Sequence, residues 1–156
     1  MLRPAFPEVA GPLASIKSTA VHTFGVAVHK ADVPIGPVKF IIPLDWRFFS
    51  AVSRDTVPDA EWRGFAFHFP PGVSRDQALA QAAAVLKVDP SRLEDVVERE
   101  VVLPSPVVGH AQVAQAIADA VKGTQLFVTG NYFGGLAIED CVTRSAEEAE
   151  RLAEAE

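Results

Sequence analysis

Residues 62–69 read WRGFAFHF, and this stretch sets the expectation for the rest of the chain. Its phenylalanines recur at every second position, which is the period of a β-strand with one face against a core. This pattern is typical of antiparallel sheets, in which one face is buried and the other stays open. The rings are Phe65, Phe67 and Phe69. They fill the core of the sheet or, in the alternative, line an apolar cavity for a substrate.

Three further strands precede this one. Val21–Val28 alternates in the same way, Val38–Ile42 is a short apolar run, and Trp46–Ser53 is a third candidate. Short polar turns separate the four strands, so we expect an antiparallel meander. Residues 98–103 favour a fifth strand. Residues 1–12 hold three prolines and read as an irregular lead-in.

Helices follow these strands. Ser74–Gln77 is a capping box that opens an alanine-rich helix, and Asp89-Pro90 is a second helix start. Residues 111–122 carry an apolar stripe and predict another helix. The last helix begins at Glu139 or Asp140. Its predicted buried seam consists of Val142, Ala146, Ala149 and Ala153.

The composition excludes several classes of protein. The chain has 156 residues, enough for one domain, and a single cysteine, which rules out an intramolecular disulfide; no Cys/His cluster predicts a metal site. The net charge is −6 and there is no basic stripe, so we expect no nucleic-acid partner. No apolar run reaches the roughly 18 residues of a membrane span, and no signal-peptide core is present, so the default expectation is a cytoplasmic protein.

Apolar residues are more abundant than usual. Their fraction is 49%, and it rises to about 54% when the ten glycines are counted and the tyrosine is not. Typical domains reach about 45–50% on that count. We therefore expect part of the surface to be covered by something else. Residues 139–156 hold −5 of the net charge of −6, which predicts a solvated helix face.

Residues 125–142 read QLFVTGNYFGGLAIEDCV and carry the strongest functional signal. They predict a short strand over 125–129, a glycine turn over 130–135 and then a helix. The start of a helix presents free N–H groups and a partial positive charge, which favour an anion or a polarised carbonyl oxygen. Glycines let a ligand approach the backbone. An ordinary packed turn has the same pattern, and these features alone leave both interpretations open.

This segment resembles the C-terminal flavin-binding segment of the flavin-dependent amine oxidase superfamily, especially its protoporphyrinogen oxidase and phytoene-desaturase-like members. Those proteins carry a strand, Gly-Asn or Gly-Asp, a glycine turn and a helix that opens close to Gly-Val-Gly-Ile-Pro-Asp-Cys-Ile. This chain has GLAIEDCV at 135–142. Residues 104–106, Gly109-His110 and the helix after them are similar to that family's proline-rich strand end, Gly-His pair and penultimate helix. The resemblance is specific over 104–152 and looser over 13–103.

The resemblance implies an α+β chain with an antiparallel substrate-domain-type sheet and flanking helices, ending in a strand–glycine turn–helix that completes an FAD-binding domain. Residues 1–124 would form a partial substrate-binding domain and residues 125–156 the FAD-binding segment. Members of the family begin with a βαβ unit bearing G-x-G-x-x-G, which this sequence lacks. The resemblance therefore implies FAD shared with a larger partner chain that carries the Rossmann-type half. The chain would be a natural small subunit of a split enzyme or a truncated piece of a longer one.

The resemblance also implies which residues meet the flavin. Gly130 and Asn131 would lie along its pyrophosphate and ribitol, and amides at the start of the last helix would face O2 of the isoalloxazine. Glu139 departs from the family's usual Pro or Asn, so we expect its carboxylate to point away. Cys141 is either a reactive thiol or a small buried residue of the motif. The cofactor-binding set is Gly130, Asn131, Gly134, Gly135, Ile138, Glu139, Asp140 and Cys141.

The implied substrate wall is aliphatic. Amine oxidases of this superfamily place an aromatic ring just before the helix that meets the flavin, and this chain has Ala137 and Ile138 there. An aliphatic wall offers no π-face to a cation and suits a small, largely apolar substrate. The candidate substrate-lining residues are Tyr132, Phe133 and Ala137. The alternative function is a non-catalytic module of the same architecture that binds a small ligand or a protein.

Overall fold

The sequence patterns form helices and strands in the computed structural model, which describes residues 5–45, 47–57 and 59–154. The helices are α1 (Pro7–Ser15), α2 (Arg75–Leu86), α3 (His110–Val121) and α4 (Ile138–Ala153). The strands are β1 (Ser18–His29), β2 (Phe40–Ile41), β3 (Ser50–Ser53), β4 (Trp62–Phe69) and β5 (Glu94–Pro104). Short 3-10 turns occupy Lys30–Asp32 and Pro90–Arg92, so the helix predicted from Asp89-Pro90 is a single turn.

The chain forms two compact units. The sheet unit comprises Ala20–Val102, and the terminal unit comprises residues 5–19 with 103–154. The functional division into residues 1–124 and 125–156 stays a prediction.

The five strands form one sheet in the order β2-β3-β4-β1-β5. The pairs β2–β3, β3–β4 and β4–β1 are antiparallel, which confirms the predicted α+β class with an antiparallel sheet. The predicted meander is wrong at one position, because β1 lies beside β4 and not beside β2. Length explains the choice: β1 and β4 pair along His22–His29 and Trp62–Phe69, whereas β2 has only two residues to offer.

Helix α2 covers one face of this sheet. The phenylalanines of β4 are buried with Phe24 of β1 and with Ala78, Ala82 and Leu86 of α2, which confirms that they fill the core. The ring of Phe24 meets that of Phe69 edge-on at 5.7 Å, a favourable aromatic geometry. The predicted capping box is present, because the Gln77 N–H donates to Ser74 Oγ at 3.3 Å and Gln77 Oε1 accepts from the Ser74 N–H at 3.2 Å.

On the other face of the sheet the side chains of β1 and β4 are half-buried, and most of them are small or polar. On this face Thr23 Oγ1 lies 3.0 Å from His68 Nδ1 across the β1–β4 pair. Burial lowers the pKa of His68 below its ordinary value of 6.5, because the protonated ring is less well solvated there.

A buried ion pair fastens the loop before β2 to the sheet. The Arg63 guanidinium donates to both Asp55 oxygens, at 2.9 and 2.5 Å, and to the carbonyl of Ile35 at 2.6 Å. Asp55 Oδ2 also accepts from the Val38 N–H at 3.1 Å. The hydrogen bonds from Arg63 hold the pKa of Asp55 below its ordinary value.

The terminal unit has a core of its own. Val9 of α1 packs with Ile117 and Val121 of α3 and with Val128. The prediction of an irregular lead-in is therefore wrong over residues 7–12, which belong to helix α1 (Pro7–Ser15). A proline in the first helical turn replaces an N–H that has no partner there, so Pro7 does not prevent the helix.

Candidate functional site

Residues 125–129 do not form the predicted strand and belong to no helix or strand. A strand needs a neighbouring strand to pair with its backbone, and here side chains of α4 take that place. Arg151 Nη2 donates to the Leu126 carbonyl at 2.5 Å, and Arg144 Nε donates to the Val128 carbonyl at 3.3 Å. The Val128 N–H donates to Glu148 Oε2 at 3.2 Å. Helix α4 thus satisfies one edge of this segment through polar side chains.

Glu148 is the centre of that arrangement. It is 7% exposed, and its carboxylate accepts from Arg144 and, at 2.7 Å, from Arg151. Each guanidinium also lies over an aromatic ring, Arg144 over Phe133 at 4.2 Å and Arg151 over Phe127 at 4.3 Å. Two cations around one carboxylate offset the cost of burying it.

The apolar face of α4 is turned to solvent. Ile138 is 83% exposed and Val142 is 57% exposed. The predicted buried seam is therefore wrong, and each of its members is exposed: Val142, Ala146, Ala149 and Ala153. The helix is amphipathic as predicted, but its polar face supplies the groups that residues 124–128 require, so that face packs inward.

The start of α4 is closed by its own third residue. Asp140 Oδ2 accepts from the Ala137 N–H at 3.1 Å, and the Cys141 N–H donates to the Ala137 carbonyl at 3.3 Å. A Cβ at Gly135 would stand 2.2 Å from Asp140 Oδ2, so glycine leaves room for this cap. The Glu139 side chain is exposed and Cys141 is half-buried.

The glycine turn is shaped by Gly130. Its φ of +146° is a backbone conformation that residues with a side chain rarely adopt. A Cβ at this position would also stand 2.6 Å from the Tyr132 ring. Gly134, by contrast, faces open space.

The two aromatic candidates turn toward the core of the terminal unit. The rings of Tyr132 and Phe133 stack at 4.9 Å and pack against the cluster around Ile117. His110 Nε2 lies 2.5 Å from the Tyr132 carbonyl, which ties the start of α3 to the turn. Burial raises the pKa of Tyr132, although Arg144 acts in the opposite direction. Their assignment to the substrate wall stays a prediction.

Two cavities of the terminal unit divide the predicted residues between them. One, of about 400 Å³, is lined by Asn131 and Leu136 together with residues 103–106 and Thr19. The other, of about 490 Å³, is lined by Phe133, Gly134, Asp140 and Arg144 among others. The structure therefore brings Asn131 to the proline-rich strand end that the resemblance singled out, and it does not gather all the predicted residues around one cavity.

Sequence reasoning missed Arg144, Glu148 and Arg151. Their spacing of four and three residues does mark one face of a helix. This spacing is visible in the sequence, but it was interpreted as a solvated helix face because charged residues are rarely buried.

The residues around the start of α4 fit one edge of a flavin ring, but they do not account for contacts to the rest of the cofactor. Free N–H groups at the first helical positions suit the electron-rich pyrimidine edge, and the exposed side chains of Leu136 and Ile138 suit a flat apolar ring. Open space at Gly134 allows close approach. The sequence holds no glycine-rich phosphate fingerprint, so a bound flavin would need its remaining contacts from another source.

Known proteins resemble this chain in fold only. No protein-family model and no curated protein matches the sequence. Among solved structures, the chain is similar to reduced UDP-galactopyranose mutase, with a TM-score of 0.53 and 10% identity over 83% of this chain. The chain spans 31% of the length of that mutase.

Two negative findings apply to residues 5–45, 47–57 and 59–154. No helix among them is long and apolar enough to cross a membrane. They contain no group of three or more His, Cys, Asp and Glu side chains placed to hold a metal ion.

Proposed function

We propose that this chain is the C-terminal-type part of a split FAD-dependent oxidoreductase. It would complete the flavin and substrate site together with a larger chain that carries the G-x-G-x-x-G half. The observation that carries the proposal is the reversed orientation of α4, whose apolar face lies open directly after the glycine turn. A monomer leaves few large apolar patches exposed, and those that exist mark interaction surfaces.

The backbone of residues 125–129 supports the same partner. On the edge that α4 covers, the N–H and C=O of Leu126 and Val128 are paired. On the opposite edge, no partner for the N–H or C=O of Phe127 lies within the described part of the chain. Unpaired backbone groups along one edge of a segment are a template for a strand of another chain. A sheet in the partner would continue along this edge.

The similarity to the mutase supports the proposal in two ways. This chain covers less than a third of that protein, so a protein of similar fold contains much more than this chain offers. That protein was crystallised in a reduced form. Together with the resemblance over residues 104–152, this favours a flavin over other ligands.

The residues of this chain would hold the flavin edge and shape its surroundings. The N–H groups of Ile138, Glu139 and Asp140 would face O2, and the turn at Gly130 and Asn131 would follow the ribitol and pyrophosphate. Gly134 and Gly135 would allow the approach, with Cys141 as a small residue behind it. A bound flavin supplies the hydride chemistry, while these residues supply placement and electrostatics. Leu136 and Ala137 would face a small, largely apolar substrate.

Gly134→Val tests the assignment most cleanly. Gly130 and Gly135 are required by the loop itself, whereas Gly134 has open space, so valine there leaves the free chain folded and blocks an approaching ligand. Gly36→Val is the matched control, because it also faces open space but lies in the sheet unit. We expect the complex with the partner to lose flavin in the first variant and to keep it in the second. Full flavin occupancy in both would contradict the assignment.

A non-catalytic binding module is the second candidate, and one observation favours it. The sheet unit forms a cavity of about 590 Å³ by itself, lined by Lys30, Arg54 and Trp62 among others. A pocket of this size holds a small ligand without a second chain. A monomeric, colourless chain that binds a ligand in this cavity would favour the module over the split enzyme.

A further inference from the structure

The cavity of about 590 Å³ belongs to the sheet unit and lies where β1 ends and β4 begins. Small-molecule sites in proteins have volumes of about 300–1,000 Å³. Six of the residues that line this cavity carry apolar side chains, and five are charged: Lys30, Arg54, Asp55, Asp59 and Arg63. Apolar surface beside charges suits a small organic ion, and the partners of those charges decide which sign the ion has.

The acidic residues of the cavity are occupied by donors of the chain itself. Asp55 accepts from the Arg63 guanidinium at 2.9 and 2.5 Å. Asp59 Oδ1 accepts from the Glu61 N–H at 2.8 Å and from the Trp62 N–H at 2.7 Å. A cationic ligand would have to compete with these donors for both carboxylates.

Two cations at the cavity have free donors. Lys30 Nζ donates to the Asp59 carbonyl, which uses one of the three N–H groups of the ammonium. Arg54 is exposed, and its guanidinium has no ion-pair partner among the residues that the structure describes. A Cβ at Gly64 would stand 3.3 Å from Arg54 Cγ, so glycine leaves room for the arginine side chain. Both groups that can still bind a ligand ion are therefore positive.

Trp62 supplies a flat apolar wall beside these cations. It is half-buried, and its ring meets the His29 ring edge-on at 5.5 Å across the β1–β4 pair. This contact positions the indole before a ligand arrives. Val33 and Ile35 also line the cavity and pack in the core of the sheet unit, so the apolar wall is anchored.

We propose that this cavity binds a small organic anion, a carboxylate or a phosphate monoester attached to a flat apolar body. Arg54 and Lys30 would bind the anionic group, because a guanidinium presents its donors in a fork that matches carboxylate and phosphate oxygens. Trp62 would pack against the body. The inference rests on the second candidate function, the binding module, for which it names the class of ligand, and it requires neither a flavin nor a partner chain.

Four naphthalene compounds, substituted at the same ring position, test the charge of the ligand. They are the carboxylate, the phosphate monoester, the neutral carboxamide and the cationic methylamine, each titrated into the full chain and followed by NMR. We expect the tighter of the two anions to bind about ten-fold more tightly than the amide and the amine, because only the anions form charged hydrogen bonds. That anion identifies the head group, and it should shift the Ala27 and Gly64 amides and the Trp62 indole N–H. Inorganic phosphate, which has no apolar body, should bind about ten-fold more weakly than the naphthyl phosphate.

Charge removal locates the site. The double variant Lys30→Gln, Arg54→Gln keeps the Cγ that packs over Gly64 and should bind the anion about ten-fold less tightly, with its weak binding of the amide unchanged. The matched control is Lys17→Gln, Arg99→Gln, which makes the same change in net charge at exposed sites elsewhere and should bind like the unmodified chain.

Three results would overturn the proposal. Equal binding of anion and amide within the cavity would contradict the ligand class and leave the binding module as a candidate function. Shifts outside the cavity, or an equal loss of affinity in the two double variants, would contradict the site. No binding of any of the compounds would contradict both the proposal and the binding module, whereas the split enzyme is tested separately by its flavin content.

Discussion

The carboxylate of Glu148, in the middle of α4, accepts a hydrogen bond from the backbone N–H of Val128 at 3.2 Å, 20 residues earlier in the chain. This bond joins a helix to a segment that would otherwise need a neighbouring strand. It also fixes which face of α4 points inward. The exposed apolar face of the helix, and with it the proposed partner surface, follows from this one polar contact and its two arginines.

Replacing Glu148 should destabilise the free chain. In Glu148→Gln, Arg144 and Arg151 lose a shared buried carboxylate, and hydrogen bonds to charged groups contribute about 1.5–3 kcal/mol each. We expect the free energy of unfolding, measured with urea, to fall by about that amount. The matched control is Glu147→Gln, whose side chain is exposed and should change the free energy by no more than about 0.5 kcal/mol. Equal effects in the two variants would contradict a structural role for Glu148.

The same substitution should change the free energy of unfolding at one valine of the terminal unit and leave it nearly unchanged at another. Val142 is 57% exposed and Val121 is 1% exposed. Val121→Ser should lower the free energy of unfolding by about 1.5–3 kcal/mol, because it removes buried apolar surface. Val142→Ser should leave the free energy nearly unchanged, reduce the binding of an apolar dye and weaken association with the partner. A large loss of stability in Val142→Ser would show that this face of α4 is covered within the chain.

Adjacent glycines in the turn should differ in their tolerance of alanine. Gly135→Ala would place a methyl group 2.2 Å from Asp140 Oδ2 and displace the carboxylate from the Ala137 N–H. Losing this hydrogen bond costs about 0.5–1.5 kcal/mol, which thermal unfolding can detect. Gly134→Ala meets nothing within 4 Å and should be neutral. A neutral Gly135→Ala would mean that Asp140 does not cap α4.

Stability should depend on the protonation of His68. Burial lowers its pKa in the folded chain, so the unfolded chain binds a proton more readily as the pH falls below about 6.5. The stability of the folded state is therefore fully present above that pH and decreases below it. We expect the free energy of unfolding between pH 8 and 5 to fall more steeply in the unmodified chain than in His68→Gln. Parallel curves for the two proteins would exclude the effect.

Local patterns predicted the sheet unit well. The alternation in residues 62–69 predicts a strand, and the Ser74–Gln77 box predicts the start of a helix. Both structures depend on residues close together in the sequence, and both are present as predicted. The ion pair of Asp55 and Arg63 was not predicted, because its partners meet only after β3 and β4 have paired.

The terminal unit was harder to predict for a physical reason. An amphipathic helix has two faces, and the sequence of α4 does not show which one finds a partner. The apolar face is normally buried, but the residues before α4 lack a strand on that edge and take up Arg144, Glu148 and Arg151 instead. The strand predicted over 125–129 failed for the same cause. The positions of Gly130 and Asp140 followed from the motif, while their contacts required the structure.

The visible absorption spectrum of this chain, purified alone and purified after co-expression with the adjacent gene product, tests the central proposal most directly. We expect a colourless chain that does not bind FAD at submicromolar concentration, because the phosphate-binding half is absent. We expect flavin absorption bands in a complex whose second chain carries G-x-G-x-x-G, and their loss in the Gly134→Val complex. Submicromolar FAD binding by the isolated chain, or a stable colourless monomer that forms no complex, would contradict the proposal.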